Sequence, residues 1–153
     1  MMNHDENIVS DIRRFNRFYT NILGLLDKHV FNGEYSLTES RVILEIGFME
    51  ECIANDLVEK LDIDRSYMSR IIAKLIKDGL LIKESSTIDN RTSLIRLTPK
   101  GTAFFNHLNE KSNEQILKLL QGLSQKEIEE IHVSMLLIEK KLNRTEEDVN
   151  DTI

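Results

Sequence analysis

Residues 64–78, DRSYMSRIIAKLIKD, are the stretch that decides the fold. Asp64 is suited to accept the free backbone N–H groups of a first helical turn, and Gly79 is suited to end the helix in a left-handed conformation. Between them, apolar residues recur at i, i+3, i+4 and i+7, the spacing of one buried helical face: Met68, Ile71, Ile72 and Leu75. The stretch is therefore predicted to be an amphipathic helix.

The opposite face of this predicted helix carries small and basic side chains and no acid. At 100° per residue it comprises Ser66, Ser69, Arg70, Ala73, Lys74 and Lys77. Such a face fits the major groove of DNA, although an ordinary amphipathic helix with a solvated basic face shows the same pattern. The neighbouring residues favour the DNA interpretation.

A short helix is predicted before this one and a β-hairpin after it. Residues 55–61 have one apolar side, and only two residues separate them from Asp64, which is typical of a helix-turn-helix. Residues 80–85, LLIKES, and 93–97, SLIRL, are β-rich runs that flank the turn-rich segment 86–92. A helix-turn-helix followed at once by a hairpin predicts a winged helix.

Two helices are predicted before the winged helix-turn-helix core. Residues 8–30 carry apolar side chains on more than one face, which indicates a helix that is covered from two sides. Thr38 is predicted to be the N-cap of a second helix, which Gly47 ends.

Two more helices are predicted after the wing. Thr98 and Pro99 are a typical N-cap and first helical residue, and Gly122 is expected to end that helix. Ser124 and Glu127 form a capping box for the last helix. Its apolar residues repeat at 3-4-3-4 spacing, a short coiled-coil seam that needs partners: Ile128, Ile131, Met135, Ile138 and Leu142.

Composition fits one soluble globular domain in a reducing compartment. The chain has 153 residues, of which 41% are hydrophobic, enough to bury a core. A single cysteine, Cys52, excludes an internal disulfide framework. No apolar run approaches the roughly 20 residues of a membrane span, and the polar, acidic N-terminus is no signal peptide. We expect a cytoplasmic protein without membrane contact.

The distribution of charge favours nucleic acid more than the total does. The net charge is −6, yet residues 62–101 hold eight Lys/Arg and five Asp/Glu, a net +3 that leaves −9 for the rest. This separation is modest and predicts one electropositive face on an acidic protein.

No pattern in the chain indicates catalysis. The four histidines show no pairing with acids or cysteine at metal-ligand spacing, and no phosphate loop, nucleophile elbow or HExxH motif is present. We therefore expect no metal, no cofactor and no enzymatic activity. For Cys52, a small buried apolar residue is favoured over a redox switch.

Residues 8–142 resemble the MarR family of winged-helix regulators. The most specific match is Asp89-x-Arg91 followed by Leu97-Thr98-x-x-Gly101, and residues 37–46 and 57–81 match as well. The resemblance implies a single MarR-type domain over 1–153. Its fold is mainly α with a small β-hairpin wing (α+β), a winged helix-turn-helix at 37–97 with dimerisation helices at 8–30 and 98–142.

The resemblance also implies a function and its partners. Members of the family are homodimers that bind near-palindromic double-stranded DNA operators, usually as repressors. In many of them a small aromatic or phenolic molecule, bound between the dimer helices and the winged helix, weakens DNA binding. A DNA binder that senses no ligand remains open, as does a winged helix used for protein–protein interaction. The latter would predict an apolar or acidic outer face on residues 65–77.

Departures from the family pattern bear on the same expectations. FNRFYT (15–20) and SLTESRVILEI (36–46) look most like members that carry a C-terminal acetyltransferase domain, and we expect only the regulator half in this chain. Asn90 stands where the signature often has arginine, which removes one wing cation. Oxidant-sensing members place a reactive cysteine in the first helix, where this chain has none.

The predicted site residues fall into two groups. The DNA contacts are Arg65, Ser66, Tyr67, Ser69, Arg70 and Lys74 on the helix and Asn90 and Arg91 on the wing. Arg70 is expected to read a guanine edge, and Arg91 to enter a minor groove or meet phosphate. The ligand contacts, which the core would equally explain, are Phe15, Phe18, Tyr19 and Arg41.

Overall fold

The computed structural model describes residues 4–30, 33–85 and 92–144. Their elements, in chain order, are α1 His4–Val30, α2 Leu37–Phe48, α3 Ala54–Leu61, α4 Arg65–Lys77, β1 Leu81–Ser85, β2 Ser93–Leu97, α5 Pro99–Leu119 and α6 Gln125–Leu142. The chain divides into two compact units, residues 1–115 and 116–153, and the boundary falls inside α5. The predicted fold class, mainly α with a β-hairpin, is confirmed.

One core holds α2, α3, α4 and the hairpin together. The predicted apolar stripe of α4 is buried at all four positions: Met68, Ile71, Ile72 and Leu75. From α2 come Val42, Ile43 and Ile46, and the strands add Leu81 and Ile95. Because one side of α4 is fixed in this core, its opposite side faces solvent.

The turn between α3 and α4 is short because one residue adopts a left-handed conformation. Asp62 has φ 50°, and its N–H and that of Ile63 are both donated to the carbonyl of Val58. Aspartate tolerates this region better than most residues other than glycine. Asp64 then caps α4 as predicted, since its Oδ2 accepts the Tyr67 N–H at 3.2 Å.

The hairpin is antiparallel, with Leu81 opposite Leu97 and Ser85 opposite Ser93. The carbonyl of Cys52 accepts the N–H of Ile95 at 2.7 Å, so the segment before α3 is joined to the hairpin. The predicted hairpin is therefore present, while the tip at 86–91 lies outside the described residues.

The start of α5 lies against the backbone that follows α4. Thr98 caps the helix as predicted, because its Oγ1 accepts the Gly101 N–H at 3.0 Å, and it also donates to the carbonyl of Gly79 at 2.6 Å. A Cβ on Gly101 would overlap the carbonyl oxygen of Leu80. This close approach explains why the Leu-Thr-x-x-Gly motif ends in glycine.

Four predicted helix boundaries were wrong, among them the end of α2, which is Phe48 and not Gly47. The N-cap of α2 is Ser36 and not Thr38, because Ser36 and Glu39 complete a capping box with two hydrogen bonds of 3.1 Å. The first helix begins at His4 and not at residue 8. Helix α5 ends at Leu119 and not at Gly122, which takes its positive φ of 89° in the turn that follows.

Large apolar side chains are exposed on α1, in the first compact unit, and on α6, in the second. On α1 they include Ile8, Ile12, Phe15, Phe18 and Leu25, and on α6 Val133, Met135, Leu136, Leu137, Ile138 and Leu142. No residue of α6 is buried. Across the described ranges, no helix is long and apolar enough to cross a membrane.

Candidate nucleic-acid interface

The exposed side of α4 is the candidate interface. All six helix residues predicted to contact DNA are exposed, as are Ala73 and Lys77: Arg65, Ser66, Tyr67, Ser69, Arg70 and Lys74. The helix Arg65–Lys77 contains no acid. The structure thus brings the predicted helix residues together on one solvent-facing surface, which we call the α4 outer face.

Arg65 lies at the first turn of α4 and is attached to α3. Its Nη2 donates to Asn55 Oδ1 at 3.1 Å, and Asn55 Nδ2 in turn donates to Glu59 Oε1 at 3.2 Å. Asn55 was not among the predicted contacts, because its contact with Arg65 joins the two helices of the helix-turn-helix. The guanidinium is thus anchored by an uncharged side chain.

Arg70 lies in the middle of the α4 outer face, beside an aromatic ring. Its guanidinium carbon is 5.7 Å from the centroid of the Tyr67 ring, within the range of a cation–π contact. Such a contact restricts the long side chain without neutralising it. No carboxylate in the described residues forms an ion pair with Arg70.

Lys74 differs from Arg70, because it has an acidic partner on α2. Its Nζ lies 2.7 Å from Glu39 Oε2 and 5.5 Å from the centroid of the Tyr35 ring. Glu39 is 8% exposed. Burial disfavours its charged form, but the ion pair with Lys74 and the hydrogen bonds from Ser36 outweigh this effect and lower the pKa of Glu39.

Tyr35, just before the N-cap of α2, connects this segment to the end of α4. Its hydroxyl donates to Asp78 Oδ2 at 3.1 Å, and Asp78 is the C-cap of α4. Burial, followed by this hydrogen bond and nearby carboxylates, raises the pKa of Tyr35 to about 12. Two residues of α5 pack against the same place. Lys100 donates to the carbonyl of Asp78 at 2.9 Å, and the Phe104 ring lies 5.2 Å from the Tyr35 ring.

Within the described part of the wing, one ion pair joins the two strands. Arg96 Nε lies 2.7 Å from Glu84 Oε2, across the two strands. The charge of Arg96 is therefore balanced on the hairpin itself. The predicted wing contacts Asn90 and Arg91 lie outside the described residues.

Three of the four predicted ligand residues lie together. On α1, the Phe15 and Tyr19 rings stack at 5.7 Å, and Phe18 lies 6.5 Å from Phe15. Arg41 is an exposed residue of α2, and no described contact joins it to them. A cavity of about 420 Å³ is lined by other residues, namely Glu34, Tyr35, Asp78, Leu80, Lys100 and Phe104.

Cys52 is a buried core residue. It is 2% exposed, and burial, followed by the charges of Asp56 and Glu45, raises the pKa of its thiol to about 11. A thiol held neutral in this way is a poor nucleophile, which agrees with the prediction that Cys52 is a small buried apolar residue rather than a redox switch. In the described part of the chain, no three His, Cys, Asp or Glu residues are grouped as metal ligands.

Comparisons with known proteins agree with this geometry. A sequence model of the MarR family matches residues 35–91. The HTH-type transcriptional regulator PapX of Escherichia coli is 33% identical over 116 residues, which are 73% of this chain and 68% of PapX.

Two solved structures share the fold. A MarR family protein from Bacillus stearothermophilus superimposes with a TM-score of 0.80 at 16% identity, over 94% of this chain and 100% of that one. A MarR family transcriptional regulator from Listeria monocytogenes complexed with 26mer DNA gives 0.67 at 20% identity, over 86% and 87%. Together with the sequence match to PapX, the winged helix places this chain in the MarR family of transcriptional regulators.

Proposed function

We propose that the protein is a sequence-specific DNA-binding regulator, a cytoplasmic homodimer that represses transcription from a palindromic operator. The observation that carries this proposal is the α4 outer face, where Arg70, with no ion pair to any described residue, lies beside Ser66 and Ser69 on a helix without acids. Short hydroxyls and a guanidinium match the donors and acceptors on base edges in a major groove. The relative from Listeria monocytogenes, whose structure contains DNA, supports the same use of the fold.

The alternative of a protein–protein module has less support. A winged helix that binds a protein partner through α4 would need an apolar or acidic outer face. Arg65–Lys77 instead exposes hydroxyls and cations, and its large aliphatic residues are in the core or partly buried.

The exposed apolar residues of α1 and α6 support the proposed homodimer. Phe18 is 59% exposed and Leu142 is 71% exposed, and such side chains usually mark an interface when they are clustered. A second copy of the chain would cover them, and a palindromic operator would require the two α4 helices to lie about 34 Å apart, one turn of DNA. Residues 8–30 and 98–142 are the dimerisation helices in this proposal.

Release by a small aromatic or phenolic ligand is the further part of the proposal. Its support is the Phe15, Phe18 and Tyr19 cluster on α1, close to the exposed surface that dimerisation would cover. A panel of aromatic acids should raise the melting temperature and weaken DNA binding. If neither changes, ligand sensing is abandoned and the DNA proposal is unaffected.

The DNA proposal is tested by separating base reading from backbone binding. Genome-wide mapping of bound sites supplies the operator, and Arg70→Ala and Arg91→Ala are titrated against operator and scrambled duplexes at several salt concentrations. Loss of a bidentate arginine–guanine pair should cost about 1–3 kcal/mol per subunit and reduce the preference for operator. Arg91→Ala should instead lower both affinities and make the salt dependence shallower.

The outcome that contradicts this assignment is specific. If Arg70→Ala leaves the ratio of operator to scrambled affinity intact, the α4 outer face does not read bases. Sedimentation provides the matching test of the dimer, because a folded monomer at micromolar concentration would exclude a two-half-site operator.

A further inference from the structure

We propose that Lys74 is a positioning residue, whose ion pair with Glu39 fixes the orientation of α4 on α2, and that it is not a phosphate contact. This inference rests on the proposed DNA-binding function, because it concerns how the α4 outer face is presented. It also revises the role predicted for one residue of that face.

Glu39 is held in place from two sides. Its Oε1 accepts the Ser36 N–H at 3.1 Å in the capping box of α2, while its Oε2 lies 2.7 Å from Lys74 Nζ. At 8% exposure the carboxylate has little room to change rotamer. It is therefore a rigid anchor, fixed by α2 itself, to which a residue of α4 is attached.

A second contact, one helical turn further along α4, is made by Tyr35, just before α2. Asp78 accepts the Tyr35 hydroxyl at 3.1 Å, and the Tyr35 ring lies 5.5 Å from Lys74 Nζ. Two attachments at positions i and i+4 lie on one side of a helix. Together they limit rotation of α4 about its own axis, the motion that would move Arg70 away from a base edge.

The ion pair also makes Lys74 a poor phosphate ligand. If its ammonium moved to a phosphate, Glu39 Oε2 would be left buried without a partner, and the new contact would first have to offset that loss. Lys77, on the same face, is exposed and forms no ion pair within the described ranges. It provides a matched control for the removal of one positive charge.

The experiment uses Glu39→Gln, Lys74→Met, the double variant, Lys74→Arg and the control Lys77→Met in the full-length protein. Glutamine at position 39 keeps the capping box and removes only the charge. Affinities for operator and scrambled duplexes are measured at several salt concentrations, at a temperature where circular dichroism shows every variant folded.

The positioning role predicts a distinct pattern. Glu39→Gln and Lys74→Met should each lower the ratio of operator to scrambled affinity by about two- to fivefold per subunit, the range of partly exposed ion pairs. The double variant should lose no more than either single variant, because both remove the same pair. Lys74→Arg should stay close to the wild type, and Lys77→Met should keep the ratio.

A phosphate contact predicts the opposite pattern and would overturn the proposal. Lys74→Met would then lower both affinities equally and make the salt slope shallower by about 0.9 per subunit, while Glu39→Gln, which frees the ammonium, would bind both duplexes as tightly as the wild type or more tightly.

A measurement without DNA separates this inference from the proposed function. Amide hydrogen exchange in the middle of α4 should be faster in Glu39→Gln and Lys74→Met than in Lys77→Met. Equal exchange in all three variants refutes the positioning role. If the wild type prefers no duplex, the proposed function fails, and the exchange result still decides whether the pair holds α4.

Discussion

Gly101→Ala should destabilise the fold, because the first turn of α5 leaves no room for a methyl group. The new Cβ would overlap the carbonyl oxygen of Leu80 and lie 3.0 Å from its carbonyl carbon. That oxygen cannot swing aside freely, since it accepts the Thr98 N–H at 3.0 Å.

The size of the effect follows from three contributions. Overpacking by one methyl group costs about 1–3 kcal/mol, and a strained or lost hydrogen bond adds about 0.5–1.5 kcal/mol. Alanine regains about 0.5–1 kcal/mol, because glycine is the poorer helix former. The net loss in free energy of unfolding should be about 2 kcal/mol.

Urea unfolding at one fixed protein concentration measures this loss, since the stability of the proposed dimer would depend on concentration. Gly33→Ala is the matched control, because a Cβ at Gly33 meets nothing within 4 Å. It should stay within about 0.5 kcal/mol of the wild type. If Gly101→Ala is equally silent, α5 does not begin against the backbone of Leu80 as described.

Three further predictions test other contacts. Asp64→Ala removes the N-cap of α4 and should cost about 1 kcal/mol in urea unfolding, whereas Asp64→Ser should keep most of it; equal losses would contradict the cap. The pKa of Glu39 is lowered in the fold, so the wild type should be more stable than Glu39→Gln above the ordinary glutamate pKa. This difference in stability should disappear as the pH falls through the lowered pKa, and melting curves at several pH values measure it. A difference that does not depend on pH would exclude the Lys74 pair as its cause. With a thiol pKa of about 11, Cys52 should react slowly with a thiol reagent at pH 8 and fully in urea, and fast labelling of the native protein would refute its burial.

Local signals in the sequence were sufficient to predict α4 and the start of α5. The apolar period of α4, its cap at Asp64 and the positive φ of 79° at Gly79 all lie within one short stretch and were confirmed. The same holds for Thr98, whose cap depends on a residue three positions away. Ser36-x-x-Glu39 is an equally local signal, and its capping box places the N-cap of α2 two residues before the predicted Thr38.

Contacts between elements could not be predicted in this way. Glu39 and Lys74 are 35 positions apart, and Tyr35 and Asp78 are 43 apart, so no period or spacing relates them. Arg65 and Asn55 meet because Asp62 turns the chain in a left-handed conformation. A glycine would have indicated this conformation in the sequence, but the residue is an aspartate. The sequence therefore indicates which side of α4 faces outward, but not which of its cations already have partners.

This distinction changes how the positive charge near α4 should be interpreted. Counting residues gives a net +3 for 62–101, yet Lys74 is paired with Glu39 and Arg96 with Glu84. Two of the eight cations are thus balanced by carboxylates, one of which, Glu39, lies outside that block. Counterion release supplies most of the affinity for random DNA, and paired cations contribute little to it. In the proposed function, the preference for an operator depends on the placement of Arg70, Ser66 and Ser69. The contacts that hold α4 in position then matter more for that preference than the total charge.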